Sequence, residues 1–234
     1  MKAFLLAAGE GRRLRPLTEM TPKCLVPIRG TPLLALWFQL LERHGVTDVL
    51  VNLHYAHERV IEFLQSCPTS LAVATVYEKR LLGSAGTVLA NRSFVDKEHS
   101  FLILYADNLT NVNLSRMVQF HDGCHDPVTI GVVSTDAPTE KGTVVVGPDG
   151  RILEFAEKAR RPRSDLANAG IYVASQELFT YLAPSVPCDG VLDFGHDVLP
   201  RMVPHLAAYR IKEFLVDIGT PENYQHGQTH WPGL

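Results

Sequence analysis

Several features are scarce in this chain of 234 residues, and each scarcity removes a class of protein. Its four cysteines, Cys24, Cys67, Cys124 and Cys188, lie far apart and form no C-x-x-C pair. That spacing excludes a disulfide framework and reads as the reduced thiols of a cytoplasmic protein. No apolar run approaches the roughly 20 residues needed to span a membrane. Lys2 is followed by six apolar residues and then by Gly9, Glu10, Gly11 and Arg12, too short and too soon charged for a signal peptide. An excess of charge of one sign is missing too: 22 Lys and Arg against 25 Asp and Glu leave a net −3. Without a basic face, nucleic acid is not the expected partner, and the local basic cluster near the N-terminus suits a small anion better. Repeats, low-complexity tracts and linkers are absent, so residues 1–234 read as one domain.

What is present is a rhythm. Apolar runs of strand length recur at Ala3–Ala8, Val49–Leu53, Leu71–Tyr77, Phe101–Tyr105, Val128–Val133, Gly170–Val173 and Phe214–Val216. Several are apolar throughout, as expected of strands covered on both faces. Helical patterns lie between the early ones. The clearest runs from Leu33 to His44, with Thr31 as expected cap, Pro32 at the first helical position and Gly45 at the left-handed end. Others are expected over Glu58–Leu64 and from Ser84 to Asn91. The alternation predicts an α/β fold with a doubly wound, mostly parallel (mixed), Rossmann-like sheet. After residue 133 the rhythm changes. Gly142–Gly147, the turn "PDG" and Arg151–Phe155 predict a β-hairpin, a small β-rich insertion on the carboxyl side of the sheet. Residues 160–168 read as a polar loop.

The most informative stretch is "LLAAGEGRRLRPLTEMTPK", residues 5–23. A hydrophobic strand there empties into Gly9-Glu10-Gly11 and then into positive charge. Glycines at such a point let backbone amides approach phosphate oxygens. The dinucleotide fingerprint fails because position 14 is Leu, and the P-loop fails because Gly11 precedes Arg12, Arg13 and Leu14. The segment resembles the signature of sugar-1-phosphate nucleotidylyltransferases, L-A-x-G-x-G-x-R-L-x-P-L-T-x-x-x-P-K, through Leu6, Gly9, Gly11, Arg13, Leu14, Pro16, Leu17, Thr18 and Lys23. Similarity continues through "LLGSAGTV" (81–88), "YAD" (105–107), "EFAEK" (154–158), "NAGIY" (168–172) and "DIGTPENY" (217–224). Departures are Ala8 where glycine is common, Arg12 where threonine is usual, and Cys24 where proline usually follows the lysine. Position relative to Leu14 favours Arg13 over Arg12 as the phosphate-binding arginine.

The resemblance implies that a sugar 1-phosphate attacks the α-phosphorus of a nucleoside triphosphate and that pyrophosphate leaves. All participants are anionic, so catalysis is mostly positioning and charge neutralisation. It implies that Arg13 and Lys23 serve the triphosphate, lined by Leu6, Ala8, Gly9 and Gly11. Lys158 would neutralise the sugar phosphate, with Glu157, Gly142 and Asn168 holding the sugar. Asp107 and Asp217 end strands, where ligand sites of α/β sheets lie, and would hold Mg²⁺. Glu78 and Gly83 would meet the base. A carboxylate at Glu78 can accept two hydrogen bonds from guanine, and "LGSAG" is similar to the guanylyltransferase branch, so GTP is favoured, with UTP or dTTP left open.

Other readings of the same residues stay open. A catalytically inert nucleotide-sugar sensor could share the fold, although a sensor need not keep Arg13, Lys23, Asp107, Lys158 and Asp217 together. Hexose, heptose and amino-sugar phosphates are all admissible, and so is a homo-oligomer. No C-terminal hexapeptide-repeat β-helix follows in the chain, hence no second catalytic domain or trimer contacts of that kind are expected. "HDGCH" (121–125) groups His121, Cys124 and His125 but lacks a fourth zinc ligand. "DFG" (193–195) has no kinase elements around it and reads as the start of a helix running to Met202.

Overall fold

The computed structural model describes residues 1–185 and 190–234; Cys188 lies outside the described residues. In chain order the first elements are β1 (Lys2–Leu6), α1 (Leu17–Met20), β2 (Pro27–Ile28), β3 (Thr31–Pro32), α2 (Leu33–Arg43), β4 (Asp48–Leu53), α3 (His57–Ser66) and β5 (Ala72–Tyr77). Next come α4 (Ser84–Ala90), β6 (Ser100–Tyr105), β7 (Asn108–Thr110), α5 (Leu114–Asp122), β8 (Val128–Ser134), β9 (Gly142–Val146), β10 (Ile152–Glu157) and β11 (Leu166–Ser175). The chain closes with α6 (Leu178–Leu182), α7 (Leu199–Met202), β12 (Leu206–Arg210), β13 (Leu215–Asp217) and α8 (Pro221–His230). The architecture is α/β, a mixed sheet with flanking helices. Among the described residues no helix is long and apolar enough to cross a membrane.

Two compact units divide the chain. Unit 1 comprises Met1–Leu81, Leu104–Leu114 and Glu213–Leu234, and unit 2 comprises Leu82–Ile103 and Ser115–Lys212.

In unit 1, β1, β4 and β5 pair in parallel, with Phe4 opposite Leu50 and Leu50 opposite Ala74. Ala3, Phe4 and Leu5 are fully buried, which explains a strand apolar on both faces. β5 departs from that expectation: it is largely exposed, with Tyr77 53% accessible, because it pairs only with β4 among the described residues. Helix α2 buries Leu33, Leu34, Trp37, Phe38, Leu40 and Leu41, the stripe its spacing predicts. Its end is a Schellman motif. Gly45 at φ 71° donates to the Glu42 carbonyl and Val46 to that of Leu41, while Val46 itself is buried.

The expected Thr31 cap does not form. Arg29 and Gly30, both at positive φ, close a two-residue hairpin that draws Thr31 and Pro32 into β3, where Thr31 pairs with Ile28. Thr31 is therefore a strand residue, and Pro32 occupies the N-cap without a side-chain bond.

In unit 2, β9 and β10 form the predicted antiparallel hairpin, turned by Gly147–Gly150 with Gly150 at φ 83°. β11 pairs antiparallel with β8 and β9, and β12 runs parallel to β8. The expected loop over 160–168 ends sooner than its polarity suggests. Leu166 and Ala167 are buried and already paired with Ser134 and Val133, so β11 starts at Leu166.

Candidate active site

β1 ends at Leu6, and the chain turns through Gly9 and Gly11 onto the outer side of a short turn. Gly11 sits at φ 66°, and its carbonyl accepts from the Thr18 hydroxyl at 2.7 Å. A Cβ there would meet Thr18 Cγ2 at 2.9 Å, so this position needs glycine twice over. A Cβ at Gly9 would meet nothing within 4 Å, and its backbone is open to an approaching ligand. Leu14 is buried under the turn while Arg12 and Arg13 point outward. The two arginines then part: Arg12 Nε donates to Glu10 Oε2 at 2.5 Å, whereas Arg13 Nη2 lies 4.0 Å from Asp217 Oδ2.

Three residues distant in sequence meet beside this loop. The ammonium of Lys23, 8% exposed, lies 2.6 Å from Asp107 Oδ2 and 3.3 Å from Asp217 Oδ1. Backbone pairing explains the convergence. β7 and β13 are antiparallel with Asn108 opposite Asp217, and Ile218 N–H donates to the Asp107 carbonyl, so the two aspartates stand side by side. Burial alone would lower the lysine pKa, but Asp107 and Asp217 outweigh it and hold the ammonium above its ordinary range. The rest of "DIGTPENY" supports Asp217. Gly219 N–H donates to its Oδ1 at 2.8 Å, Asn223 Nδ2 donates to its carbonyl, and Thr220 caps α8 with Pro221 at the first position. A Cβ on Gly219 would stand 2.9 Å from both Arg13 Nη2 and Asp217 Oδ1, and 3.1 Å from Lys23 Nζ. Gly219 thus keeps the centre of the cluster clear, a role its place inside the motif signalled but the sequence reading did not assign.

Glu78 follows β5 and is 4% exposed, so it does not face water as a solvated strand-end charge would. Its Oε1 accepts from Asn52 Nδ2 at 2.9 Å, and Asn52 Oδ1 accepts from Ala7 N–H at 2.7 Å, just past β1. Ala8 is buried and Leu6 half-buried beside it in sequence.

Unit 2 gathers a second group. Glu157 is the last residue of β10 and pairs with Gly142 on β9. Its Oε2 occupies the space that a side chain on Gly142 or on Gly195 would fill. Burial first, and Asp193 after it, push the Glu157 carboxyl above its usual range against the opposing pull of His196 and Lys158. Lys158 follows at φ 47°, exposed, with its N–H donating to the Lys141 carbonyl. Asn168 donates to the Tyr172 hydroxyl at 2.7 Å and accepts from Gly170 N–H at 3.0 Å, across the irregularity in β11.

The "DFG" segment belongs to this group. Asp193 caps a π-helical turn over Phe194–Val198 by accepting from the N–H groups of Gly195 and His196, and its Oδ2 accepts from the Ser84 hydroxyl at 2.8 Å. Ser84 accepts in turn from Phe194 N–H. The free N–H groups of Ala85 and Gly86, at the start of α4, donate to the Leu192 carbonyl. Gly83, at φ 81°, touches the Leu192 backbone so closely that no side chain fits. "DFG" does start a helical segment, and its glycine also makes room for Glu157, a role that no local signal in the sequence marks.

In "HDGCH", His121 is buried against the Thr129 hydroxyl at 2.9 Å, and among the described residues no group of three or more His, Cys, Asp or Glu is placed to hold an ion. Asp107 and Asp217 converge on the Lys23 ammonium.

Comparison with known proteins places the whole chain in a family. The profile of the nucleotidyl transferase family matches residues 2–231. A mannose-1-phosphate guanyltransferase of Schizosaccharomyces pombe is 30% identical over 97% of this chain and 63% of its own length. A UTP–glucose-1-phosphate uridylyltransferase, AglF of Haloferax volcanii, is 30% identical over 95% of this chain and 93% of its own. The chain spans about three fifths of the length of several such relatives, 61% for one from Sulfolobus acidocaldarius. Among solved structures, HddC of Yersinia pseudotuberculosis complexed with GMP-PN superposes with a TM-score of 0.79 at 23% identity, covering 97% of each chain. Apo UDP-glucose pyrophosphorylase gives 0.81 at 17% identity, covering 98% and 97%. With the profile spanning nearly every residue from β1 to α8, the chain belongs to the nucleotidyl transferase family.

Proposed function

We propose that the protein transfers a nucleotidyl group from a nucleoside triphosphate to a sugar 1-phosphate. A phosphate oxygen of the sugar phosphate bonds to the α-phosphorus, the α–β bridging P–O bond breaks, and pyrophosphate leaves. Residues 1–234 act as one catalytic domain in this reading. The observation that carries it is the Lys23 ammonium seated between Asp107 and Asp217 beside the Gly9–Gly11 loop. Arg13 and Lys23 neutralise the triphosphate, and the open backbone at Gly9 admits it. Lys158 takes the incoming phosphate, and Glu157, whose carboxylate lies over Gly142, and Asn168 take sugar hydroxyls. GTP is the favoured nucleotide because the Glu78 carboxylate can accept from both donors of guanine.

Mg²⁺ fits the same aspartates. Two carboxylate oxygens, one from the turn between β6 and β7 and one from the end of β13, already converge on one cation, the ammonium of Lys23, and Mg²⁺ takes one or two carboxylates with phosphate and water completing its shell. Asp107 and Asp217 would hold the ion, whose chemistry is to neutralise the triphosphate oxygens. Arg13, its guanidinium exposed and 4.0 Å from Asp217, is left to swing toward substrate.

The test is pyrophosphate release with the four common nucleoside triphosphates against a panel of sugar 1-phosphates, with and without Mg²⁺. Release confined to one triphosphate–sugar pair and dependent on Mg²⁺ is expected. In Asp107→Asn and Asp217→Asn, turnover should fall by orders of magnitude while circular dichroism is unchanged. Tight nucleotide-sugar binding without pyrophosphate release under any combination would make the protein a sensor instead.

A further inference from the structure

We propose that Asn52 is the positioning residue that sets nucleotide-base selectivity, because it ties the Glu78 carboxylate to the start of the Gly9–Gly11 loop. This rests on the reading that Glu78 meets the base. Three consecutive residues, the last two of β4 and His54 just beyond it, grip Glu78. The Asn52 amide donates to its Oε1 at 2.9 Å, the Leu53 carbonyl accepts its N–H at 2.9 Å, and the His54 ring bonds its carbonyl at 2.7 Å. A carbonyl oxygen only accepts, so the His54 proton is on Nδ1. Backbone and side chain of Glu78 are therefore both held, the backbone by Leu53 and His54, the carboxylate by Asn52.

Only an amide fills the position. Asn52 Oδ1 faces a donor, Ala7 N–H at 2.7 Å, while its Nδ2 faces an acceptor, Glu78 Oε1. Those two partners fix the amide's orientation, and no other side chain of this length supplies an acceptor and a donor in opposite directions. Asn52 and Glu78 are each 4% exposed, so water does not compete for either bond. Ala7 is the first residue beyond β1, and its N–H, out of the strand ladder, is what ties the loop that follows to Asn52. One side chain thus registers the carboxylate that reads the base against the loop that receives the phosphates.

The two arms of Asn52 can be cut separately. Asn52→Asp keeps an acceptor for Ala7 N–H but loses the donor to Glu78, and sets a second carboxylate against it. Asn52→Ala loses both bonds without adding charge, and serves where the Asp variant does not fold. The readout is kcat/KM for GTP and for UTP at saturating sugar 1-phosphate, with Tm and the KM for sugar 1-phosphate alongside. Glu78→Gln is the reference. In either Asn52 variant the GTP-over-UTP ratio is expected to fall about tenfold or more, the size of a lost hydrogen bond to a carboxylate, with the sugar 1-phosphate KM within about twofold. In Asn52→Ala kcat should fall as well, through the loosened loop. If Glu78→Gln shifts the ratio and neither Asn52 variant does, Glu78 reads the base but Asn52 does not place it, and the proposal is overturned. An equal loss of kcat/KM for both nucleotides in the Asn52 variants also overturns it, leaving Asn52 a structural strut. If Glu78→Gln itself leaves the ratio unchanged, the base reading falls and this proposal falls with it.

Discussion

Lys23 shows why this site needs its residues as a set. Its ammonium is nearly removed from water, which a lone lysine would answer by losing its proton, and two aspartates reverse that outcome. Because the folded-state pKa is raised, the stability it contributes is present below the ordinary lysine range and lost as pH rises through the folded value. Lys23→Met should therefore lower unfolding stability by about 1–2 kcal/mol at pH 7, discounted because both aspartates are about one-third exposed. Urea midpoints taken from pH 7 to 11 should show that gap closing at the alkaline end, and a gap that stays constant would mean packing, not charge. Turnover should be lost at every pH. Glu157 runs the other way. Its raised pKa means that stability is present below the ordinary carboxylate range and lost as pH rises through the folded value, so at neutral pH the ionised group strains the fold. Glu157→Gln should raise Tm by about 1–2 °C at pH 7, with no gain near pH 4, while weakening sugar 1-phosphate use. A variant with unchanged Tm would show that solvent reaches the carboxylate and relieves it.

At the scale of elements, glycines divide into those that hold the fold and those that leave open space. Gly83 combines positive φ with close contact to the Leu192 backbone, and backbone does not yield as a flexible side-chain end does. Gly83→Ala should cost about 2 kcal/mol or more, visible as a lowered denaturation midpoint. Gly9 has open space where a Cβ would go. Gly9→Ala should keep the midpoint and, if this loop receives the triphosphate, lower kcat/KM for the nucleotide alone, since the methyl group would stand in its approach. Loss of stability in Gly9→Ala, or its absence in Gly83→Ala, would refute the division. These elements were unequally legible in the sequence. The Schellman end of α2 was readable because Gly45 and the apolar stripe are local signals. The start of α2 was not, since Thr31 is an acceptable cap until Arg29 and Gly30 close a hairpin that claims it. Leu166 and Ala167 read as loop for a similar reason: their partners on β8, Ser134 and Val133, are far away in sequence, and polar neighbours mask two buried positions.

At the scale of the whole molecule, the sequence named the candidate residues and concealed how they are held. The strand-end positions of Asp107 and Asp217 were visible, but the antiparallel pairing of β7 with β13 that sets them side by side joins segments over a hundred residues apart. Asn52, Gly195 and Gly219 went unassigned because each acts through a neighbour and carries no reactive group of its own. The division of the chain into two units gives the final expectation. Arg13, Lys23, Asp107 and Asp217 belong to unit 1, and Glu157, Lys158 and Asn168 to unit 2. If unit 1 receives the triphosphate and unit 2 the sugar phosphate, cations in the two should fail differently. Lys158→Ala removes an exposed ammonium and should raise the KM for sugar 1-phosphate by about tenfold or more, the size of a charge-assisted contact, with nucleotide affinity little changed. Arg13→Ala removes the guanidinium that leans toward Asp217 and should chiefly lower kcat and nucleotide use. Nucleotide affinity measured by titration in the absence of sugar phosphate separates the two, because only Arg13 bears on it. Equal loss of that affinity in both variants would show that Lys158 also serves the triphosphate and that the units do not divide the substrates between them.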